Sequence, residues 1–178
     1  MIQAEQNDST WVFGYGSLIY KVDFPVLESA PASICGWARR FWQGSHDHRG
    51  TPQSPGRVVT LISSPGSICK GVAYRVSEDV FEHLDHREKN GYERVPIEIT
   101  MARSNHMVNG VTYRAAQDNH AYLGPIPMPE LAAHISRSHG PSGSNTEYLL
   151  KLAQALRDIG AQDEHIFELE ALLIRQQY

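Results

Sequence analysis

A chain of 178 residues is long enough for one domain that buries a hydrophobic core and a small-molecule pocket, and a second domain is not required. Hydrophobic residues at 41% and charged residues at 20% are typical of a folded globular protein and exclude a disordered chain. The 16 basic and 20 acidic side chains leave a net charge of -4, which argues against nucleic acid or an anionic membrane as a partner.

The N-terminus and the cysteines bear on where the protein works. Residues 1–10 are polar and lack the apolar stretch of a signal peptide, and no apolar run elsewhere reaches the roughly 18 residues of a transmembrane helix. We therefore expect a flexible N-terminal segment over 1–10, a single domain over 11–178, and a cytoplasmic location. Cys35 and Cys69 stand among apolar or glycine neighbours, so we expect two buried, reduced thiols.

The first predicted element is a strand that starts at Trp11 and breaks into a loop at Gly14 and Gly16. Two glycines this close together let the chain turn tightly or let another group approach the backbone, whose amides can then bind a carboxylate, a phosphate or an oxyanion. A dinucleotide loop is disfavoured because residue 19 is Ile where a third glycine is needed, and Ser17 lacks the Gly-x-Ser-x-Gly context of a hydrolase nucleophile. A plain tight turn remains an alternative.

The next part of the chain predicts strands and one long loop. Residues 23–31 contain two prolines and predict an irregular link, and 36–43 predict a second strand. The loop over 44–56 has three glycines and two prolines without hydrophobic periodicity, and loops of this length often belong to a functional site. The β-branched segments 57–62 and 71–76 predict a hairpin.

Ser77 predicts the N-cap of a short helix, and Gly91 predicts its end through a left-handed stop. Apolar residues then alternate over 95–101 as in a half-buried strand, and 111–115 predict one further strand. Three helices follow, around 131–135, after the capping-box spacing of 144–147, and after Asp163. Strands first and helices last predict an α+β domain on a mixed or antiparallel sheet.

Glu88 is the acid whose position favours a catalytic role, because it lies where the helix gives way to the Asn90-Gly91 turn. The alternative is a solvated turn acid paired with Arg87 and Lys89. These basic neighbours would lower its pKa and burial would raise it, and the sequence does not decide between them.

Two other kinds of site have weaker support in the sequence. The His46-Asp47-His48 run supplies at most part of a metal shell, and no established metal-binding spacing accompanies it. Arg39, Arg40 and Arg49 could each bind a ligand carboxylate as a forked donor, although a surface position is more common for arginine.

Short sequences distributed along the chain also occur together in a known family; they lie at 12–18, 40–45, 47–50, 55–61, 71–75, 84–85, 87–89, 91–92, 122–125, 140–143 and 145–149. Through them the chain resembles the ChaC-type γ-glutamylcyclotransferases, and most closely the glutathione-specific, ChaC2-like kind. The resemblance implies a small mixed β-barrel or sheet with flanking helices. It also implies a lyase reaction that converts glutathione to 5-oxoproline and cysteinylglycine, with no cofactor and no metal.

The resemblance implies roles for particular residues as well. Glu88 would be the catalytic acid/base. The residues that would bind the γ-glutamyl group are Val12, Phe13, Gly14, Tyr15, Gly16, Ser17, Leu18 and Tyr148.

The chain departs from the family pattern at three positions, where His46 replaces Thr, Lys70 replaces Trp and Asn90 replaces Gly. His46 and Lys70 could alter how the cysteinylglycine end is held, so substrate preference stays open. The alternatives are cyclotransfer from other γ-glutamyl amino acids or amines, a non-catalytic γ-glutamyl-binding protein, and an amide hydrolase. The sequence does not indicate an oligomeric state.

Overall fold

The computed structural model of the protein describes residues 8–178. It contains seven strands and four α-helices: β1 Ser9–Gly14, β2 Glu28–Ser45, β3 Gly56–Ser77, α1 Val80–Arg87, β4 Tyr92–Met101, β5 Met107–Ala115, α2 Met128–Arg137, β6 His139–Gly140, β7 Gly143–Ser144, α3 Asn145–Asp158 and α4 Glu164–Gln176. Of the segment expected to be flexible, residues 1–7 lie outside the described part of the chain. Residues 9 and 10 of that segment belong to β1, which starts two residues before Trp11. The assignment of 11–178 to one domain stays a prediction.

Five strands form a closed barrel in the order β1-β3-β2-β4-β5. All neighbours in the barrel are antiparallel except β1 and β5, which close it as a parallel pair with Val12 opposite Val111. The predicted small mixed barrel with flanking helices is confirmed. The short strands β6 and β7 pair separately, next to the start of α3.

The predicted hairpin of 57–62 with 71–76 is wrong. Both segments belong to the continuous strand β3 and pair with β2, with Leu61 opposite Arg39 and Gly71 opposite Ala32. The segment between them, which resembles a turn in sequence, forms an irregularity in the ladder, where Gly66 has φ 86°. The hairpin turn of the β2–β3 ribbon is instead the long loop that sequence reasoning assigned to a functional site. The link predicted over 23–31 is also shorter, because β2 begins at Glu28.

Helices α2, α3 and α4 pack against the barrel and provide half of the buried residues of the main core cluster. Buried side chains of α2, α3 and α4, such as Leu131, Leu152 and Leu169, pack with barrel residues such as Phe13 and Ile34. A second, smaller cluster joins α1 to the outside of β1 and β3; its buried members are Val12, Leu18, Phe24, Tyr74, Val76, Val80, Phe81, Leu84 and Tyr113. The second cluster fixes α1, and therefore the end of α1, against the first strand.

Local signals for helix ends are confirmed at three of four positions. The hydroxyl of Ser144 accepts from the Glu147 amide at 3.1 Å, and the Asp163 carboxylate accepts from the Ile166 amide at 3.1 Å. Gly91 has φ 88°, as the left-handed stop requires. The N-cap of α1 is Asp79 rather than Ser77.

Both cysteines are free. Cys69 is buried as expected, whereas Cys35 is exposed, so its predicted burial is wrong. Cys35 precedes Gly36, at the irregularity of the β2–β3 ladder.

Among residues 8–178, no helix has the length and apolar character needed to cross a membrane.

Candidate active site

Two adjoining cavities open at one end of the barrel. The larger, hereafter the cleft, has about 670 Å³ of empty space including its mouth. The smaller, hereafter the inner cavity, has about 320 Å³. Four residues line both: Ser17, Glu88, Tyr92 and Tyr148. The acid singled out from the sequence therefore lies at the junction of the two cavities.

Glu88 reaches this junction because α1 ends directly before it. Its amide donates to the Leu84 carbonyl at 3.0 Å, and Gly91 then turns the chain into β4. The Glu88 side chain is 16% exposed. Burial raises its pKa from the ordinary value to about 7, although the Arg87 guanidinium opposes that change. A carboxyl group with this pKa can exchange protons near neutral pH.

Arg87 joins the end of α1 to the loop that follows β1. Its guanidinium donates to the Ser17 hydroxyl at 3.1 Å, the Lys21 carbonyl at 2.9 Å and the Asp23 carboxylate at 2.7 Å. The Arg87 Nε atom lies 3.8 Å from the Glu88 carboxylate. The Arg87 side chain thus connects Ser17, in the loop that follows β1, with Glu88.

Residues 14–18, hereafter the glycine loop, overlap the end of β1 and the start of the 3-10 turn Ser17–Ile19. A methyl group on Gly16 would stand 2.9 Å from Val59 Cγ2 and 3.2 Å from the Tyr148 hydroxyl, so this position needs glycine because neighbouring side chains come close. The hydrogen bonds within the turn are donated by the amides of residues 19–21. The amides of residues 16–18 donate none of them.

Tyrosines form much of the wall of the inner cavity. The Tyr92 hydroxyl donates to the Val59 carbonyl at 2.7 Å, the Tyr148 hydroxyl accepts from the Val59 amide at 3.3 Å, and the Tyr15 hydroxyl donates to the Tyr113 carbonyl. Burial raises the pKa of Tyr15, Tyr92 and Tyr148, so these phenols stay neutral at physiological pH. Among residues 8–178, Glu88 is the only carboxyl-bearing residue that lines the inner cavity.

The loop between β2 and β3 forms the opposite wall of the cleft through Asp47, His48 and Arg49. The Arg49 guanidinium donates to the Glu147 carboxylate at 2.9 Å, and the Asp47 carboxylate accepts from the Asn90 amide group. The long loop therefore lines the cleft, and its membership of a functional site stays a prediction.

The other predicted binding residues divide into two groups. Phe13, Tyr15, Gly16 and Leu18 line the inner cavity with Ser17 and Tyr148. Val12 and Gly14 line neither cavity; Val12 is fully buried in the second core cluster. Sequence reasoning assigned no role to Tyr92 or Tyr113, and the only signal for Tyr92 was its place after Gly91 in the shared sequence 91–92.

Three residues considered for ligand or substrate binding lie outside both cavities: Arg39, His46 and Lys70. Arg39 is 1% exposed and donates to the Tyr15 carbonyl at 2.6 Å and to the Asp163 carboxylate at 2.6 Å, so it links β2 to the glycine loop and to the start of α4. His46 and Lys70, the departures expected to affect the substrate, line neither cavity. Among residues 8–178, no three His, Cys, Asp or Glu side chains are grouped to bind a metal ion.

Fold and site together define a small mixed β-barrel protein in which a half-buried carboxyl group lies beside a glycine loop. A family model described as ChaC-like protein matches residues 10–176, and the chain belongs to this ChaC-like family. The Arabidopsis thaliana gamma-glutamylcyclotransferase 2-3 is 44% identical over 170 residues, covering 89% of this chain and 85% of that protein.

Two further relatives agree with this family assignment. The Danio rerio glutathione-specific gamma-glutamylcyclotransferase 1 is 40% identical, covering 94% of this chain and 90% of the relative. The crystal structure of the glutathione-specific gamma-glutamyl cyclotransferase from yeast superposes with a TM-score of 0.87 at 34% identity, covering 95% of this chain and 97% of that one.

Proposed function

We propose that this protein is a glutathione-specific γ-glutamylcyclotransferase, which cleaves glutathione to 5-oxoproline and cysteinylglycine. The observation that carries the proposal is Glu88, whose pKa burial raises to about 7 and whose carboxyl group lies between the two cavities beside the glycine loop. Relatives at 40% and 37% identity are named for the same activity.

The reaction needs neither a protein nucleophile nor water. In a γ-glutamyl amide, the α-amine attacks its own γ-carbonyl carbon and forms the new C–N bond of a five-membered ring. The bond between that carbon and the cysteine nitrogen breaks, and the nitrogen leaves as an amine. Holding the chain in this curled shape provides a high effective concentration of the amine.

Glu88 supplies the proton transfers in this proposal. Its carboxylate takes a proton from the α-ammonium, which makes the amine nucleophilic, and later returns a proton to the departing cysteine nitrogen. General acid–base catalysis of this kind typically contributes about 10² to 10⁴ in rate. Ser17 has no proton-transfer role, and its hydroxyl accepts a hydrogen bond from Arg87.

The γ-glutamyl group would occupy the inner cavity, within the predicted binding set of residues 12–18 and Tyr148. Backbone amides near Gly16 would face the α-carboxylate or the oxyanion that forms at the γ-carbonyl. Neutral tyrosines around the cavity would keep the local polarity low, which strengthens these hydrogen bonds.

The product decides between the possible activities. Purified protein is incubated with glutathione, and the products are identified by mass. We expect 5-oxoproline and cysteinylglycine in equal amounts, whereas free glutamate would indicate an amide hydrolase and unchanged glutathione a binding protein. Comparison with γ-glutamyl-alanine tests preference among γ-glutamyl compounds.

The pH dependence follows from the raised pKa of Glu88. A base must be deprotonated, so we expect kcat/KM to rise about tenfold per pH unit below the pKa of about 7 and to level off above it. The charged and titratable groups that act on Glu88 are Arg87, Asp23, Asp47, Tyr15, Tyr92, Tyr113 and Tyr148. Initial rates of 5-oxoproline formation between pH 5.5 and 8.5, roughly the range of a group titrating near neutrality, measure this profile. A flat profile would contradict the role of Glu88.

Replacement of Arg87 tests its positioning role. Arg87→Met removes the cation that opposes the raised pKa of Glu88, so the rising limb of the pH profile should move to higher pH. It also removes the hydrogen bond to Ser17, and we expect a loss of about tenfold in kcat/KM at pH 7. Arg87→Lys should leave the rising limb of the pH profile at its wild-type pH, because the positive charge remains. Arg103→Met, on an exposed turn, serves as the control.

Location and cofactor remain part of the proposal. The reaction as written requires no cofactor, and the two free cysteines are consistent with the proposed cytoplasmic location.

A further inference from the structure

Most charged side chains of the cleft are paired within the protein. Arg49 is paired with Glu147 at 2.9 Å, and Arg87 with Asp23 at 2.7 Å. The His48 imidazole contacts the Ser142 hydroxyl at 2.9 Å and lies 3.6 Å from Asp47. These groups therefore already have polar or charged partners within the protein.

Lys21 is different. It lines the cleft and its side chain is exposed, yet no ion-pair partner lies within reach of its ammonium group among residues 8–178. Its backbone is fixed on both sides: the amide donates to the Ser17 carbonyl at 2.7 Å, and the carbonyl accepts from Arg87 at 2.9 Å. A cation on a fixed backbone is thus presented to the cleft directly after the glycine loop.

The charges of the substrate leave one group without a counterpart in the proposed mechanism. Glutathione has an α-ammonium, an α-carboxylate and the carboxylate of its C-terminal glycine. In the proposed mechanism the α-ammonium would face Glu88, and the backbone amides of the glycine loop would face the α-carboxylate or the oxyanion. The glycine carboxylate belongs to the leaving peptide, which would extend from the reacting carbon in the inner cavity toward the cleft.

Resting on the proposed function, we infer that Lys21 binds the C-terminal carboxylate of the leaving peptide in the cleft, which selects γ-glutamyl peptides with a free carboxylate over γ-glutamyl amines. His46 and Lys70 do not take this role, because neither lines the cleft. The His46 ring instead lies 5.8 Å from the ring of His120.

The test combines two substrates with three variants. Glutathione and glutathione amidated at its glycine carboxylate are supplied to the wild type, Lys21→Met, Lys21→Arg and the control Lys70→Met. We expect Lys21→Met to lower kcat/KM for glutathione about tenfold, mainly through KM, since a solvent-exposed charge-assisted hydrogen bond contributes modestly. The amidated substrate should react equally with the wild type and Lys21→Met. Lys21→Arg should keep most of the wild-type preference for glutathione over its amide. Lys70→Met should change the rate with neither substrate.

A loss of the same factor with both substrates, or no loss with glutathione, would overturn the inference. Calorimetric affinities of the two compounds for Glu88→Gln, with and without Lys21→Met, test the contact without turnover. A wild type that releases no 5-oxoproline from either compound would refute the proposed function, while these affinities still decide whether Lys21 binds the carboxylate.

Discussion

Glu88→Gln should lower kcat for 5-oxoproline release by about 10² to 10⁴, the range typical of losing a general acid–base group. The amide keeps the shape of the side chain but cannot accept the proton of the α-ammonium. Glutathione binding, measured by calorimetry, should remain within a few-fold of the wild type, because the glycine loop and the cleft are unchanged. Glu82→Gln, on the exposed side of α1, is the matched control.

The stability of the same variant separates loss of chemistry from loss of fold. The folded pKa of Glu88, about 7, lies above its ordinary value of 4.5, so the folded state retains a proton that the unfolded chain releases. The stability associated with this proton is present below pH 4.5 and is lost as the pH rises through about 7. Glu88→Gln removes that loss, so at pH 8 it should unfold at a temperature no lower than the wild type. Near-normal turnover by the variant would remove Glu88 from the mechanism.

Gly16→Ala should lower kcat/KM by about 10², because small displacements of a positioning loop can have effects of this size. The added methyl group would lie 2.9 Å from Val59 Cγ2 and 3.2 Å from the Tyr148 hydroxyl, so the loop or these side chains must move. The backbone amides proposed to face the substrate would move with the loop. Steady-state kinetics and an unfolding curve measure the two consequences.

A second substitution identifies the cause of the Gly16→Ala defect. Val59→Ala removes the methyl group nearest to the added carbon, so the double variant should recover part of the lost kcat/KM. Val59→Ala alone controls for the effect of a smaller side chain in the cavity wall. A Gly16→Ala variant with wild-type kinetics would show that close backbone approach at this position is unnecessary.

Local sequence signals predicted the parts of the site that depend on one short segment. The glycine loop follows the first strand because the residues up to Gly14 favour a strand. Glu88 follows α1 because the left-handed turn at Gly91 stops the helix from continuing. The caps at Ser144 and Asp163 were likewise predicted, since a capping hydrogen bond involves residues three positions apart.

Pairing between strands was predicted less well. The segments 57–62 and 71–76 resemble two arms of a hairpin, because Pro65 and Gly66 between them are typical turn residues. Strand pairing depends on partners distant in the chain, and the actual partner of both segments is β2. The role of Arg87 was missed for the same reason, since its hydrogen bonds reach Ser17, Lys21 and Asp23 across the fold.

By itself, the sequence determined the helix ends at Gly91, Ser144 and Asp163, the glycine loop and the identity of the acid at the end of α1, because each depends on interactions within a few residues. Only the tertiary structure decided that the barrel closes through the parallel pairing of β1 with β5. Only the tertiary structure also decided the raised pKa of Glu88, because the burial that disfavours its charged form comes from side chains far apart in the chain.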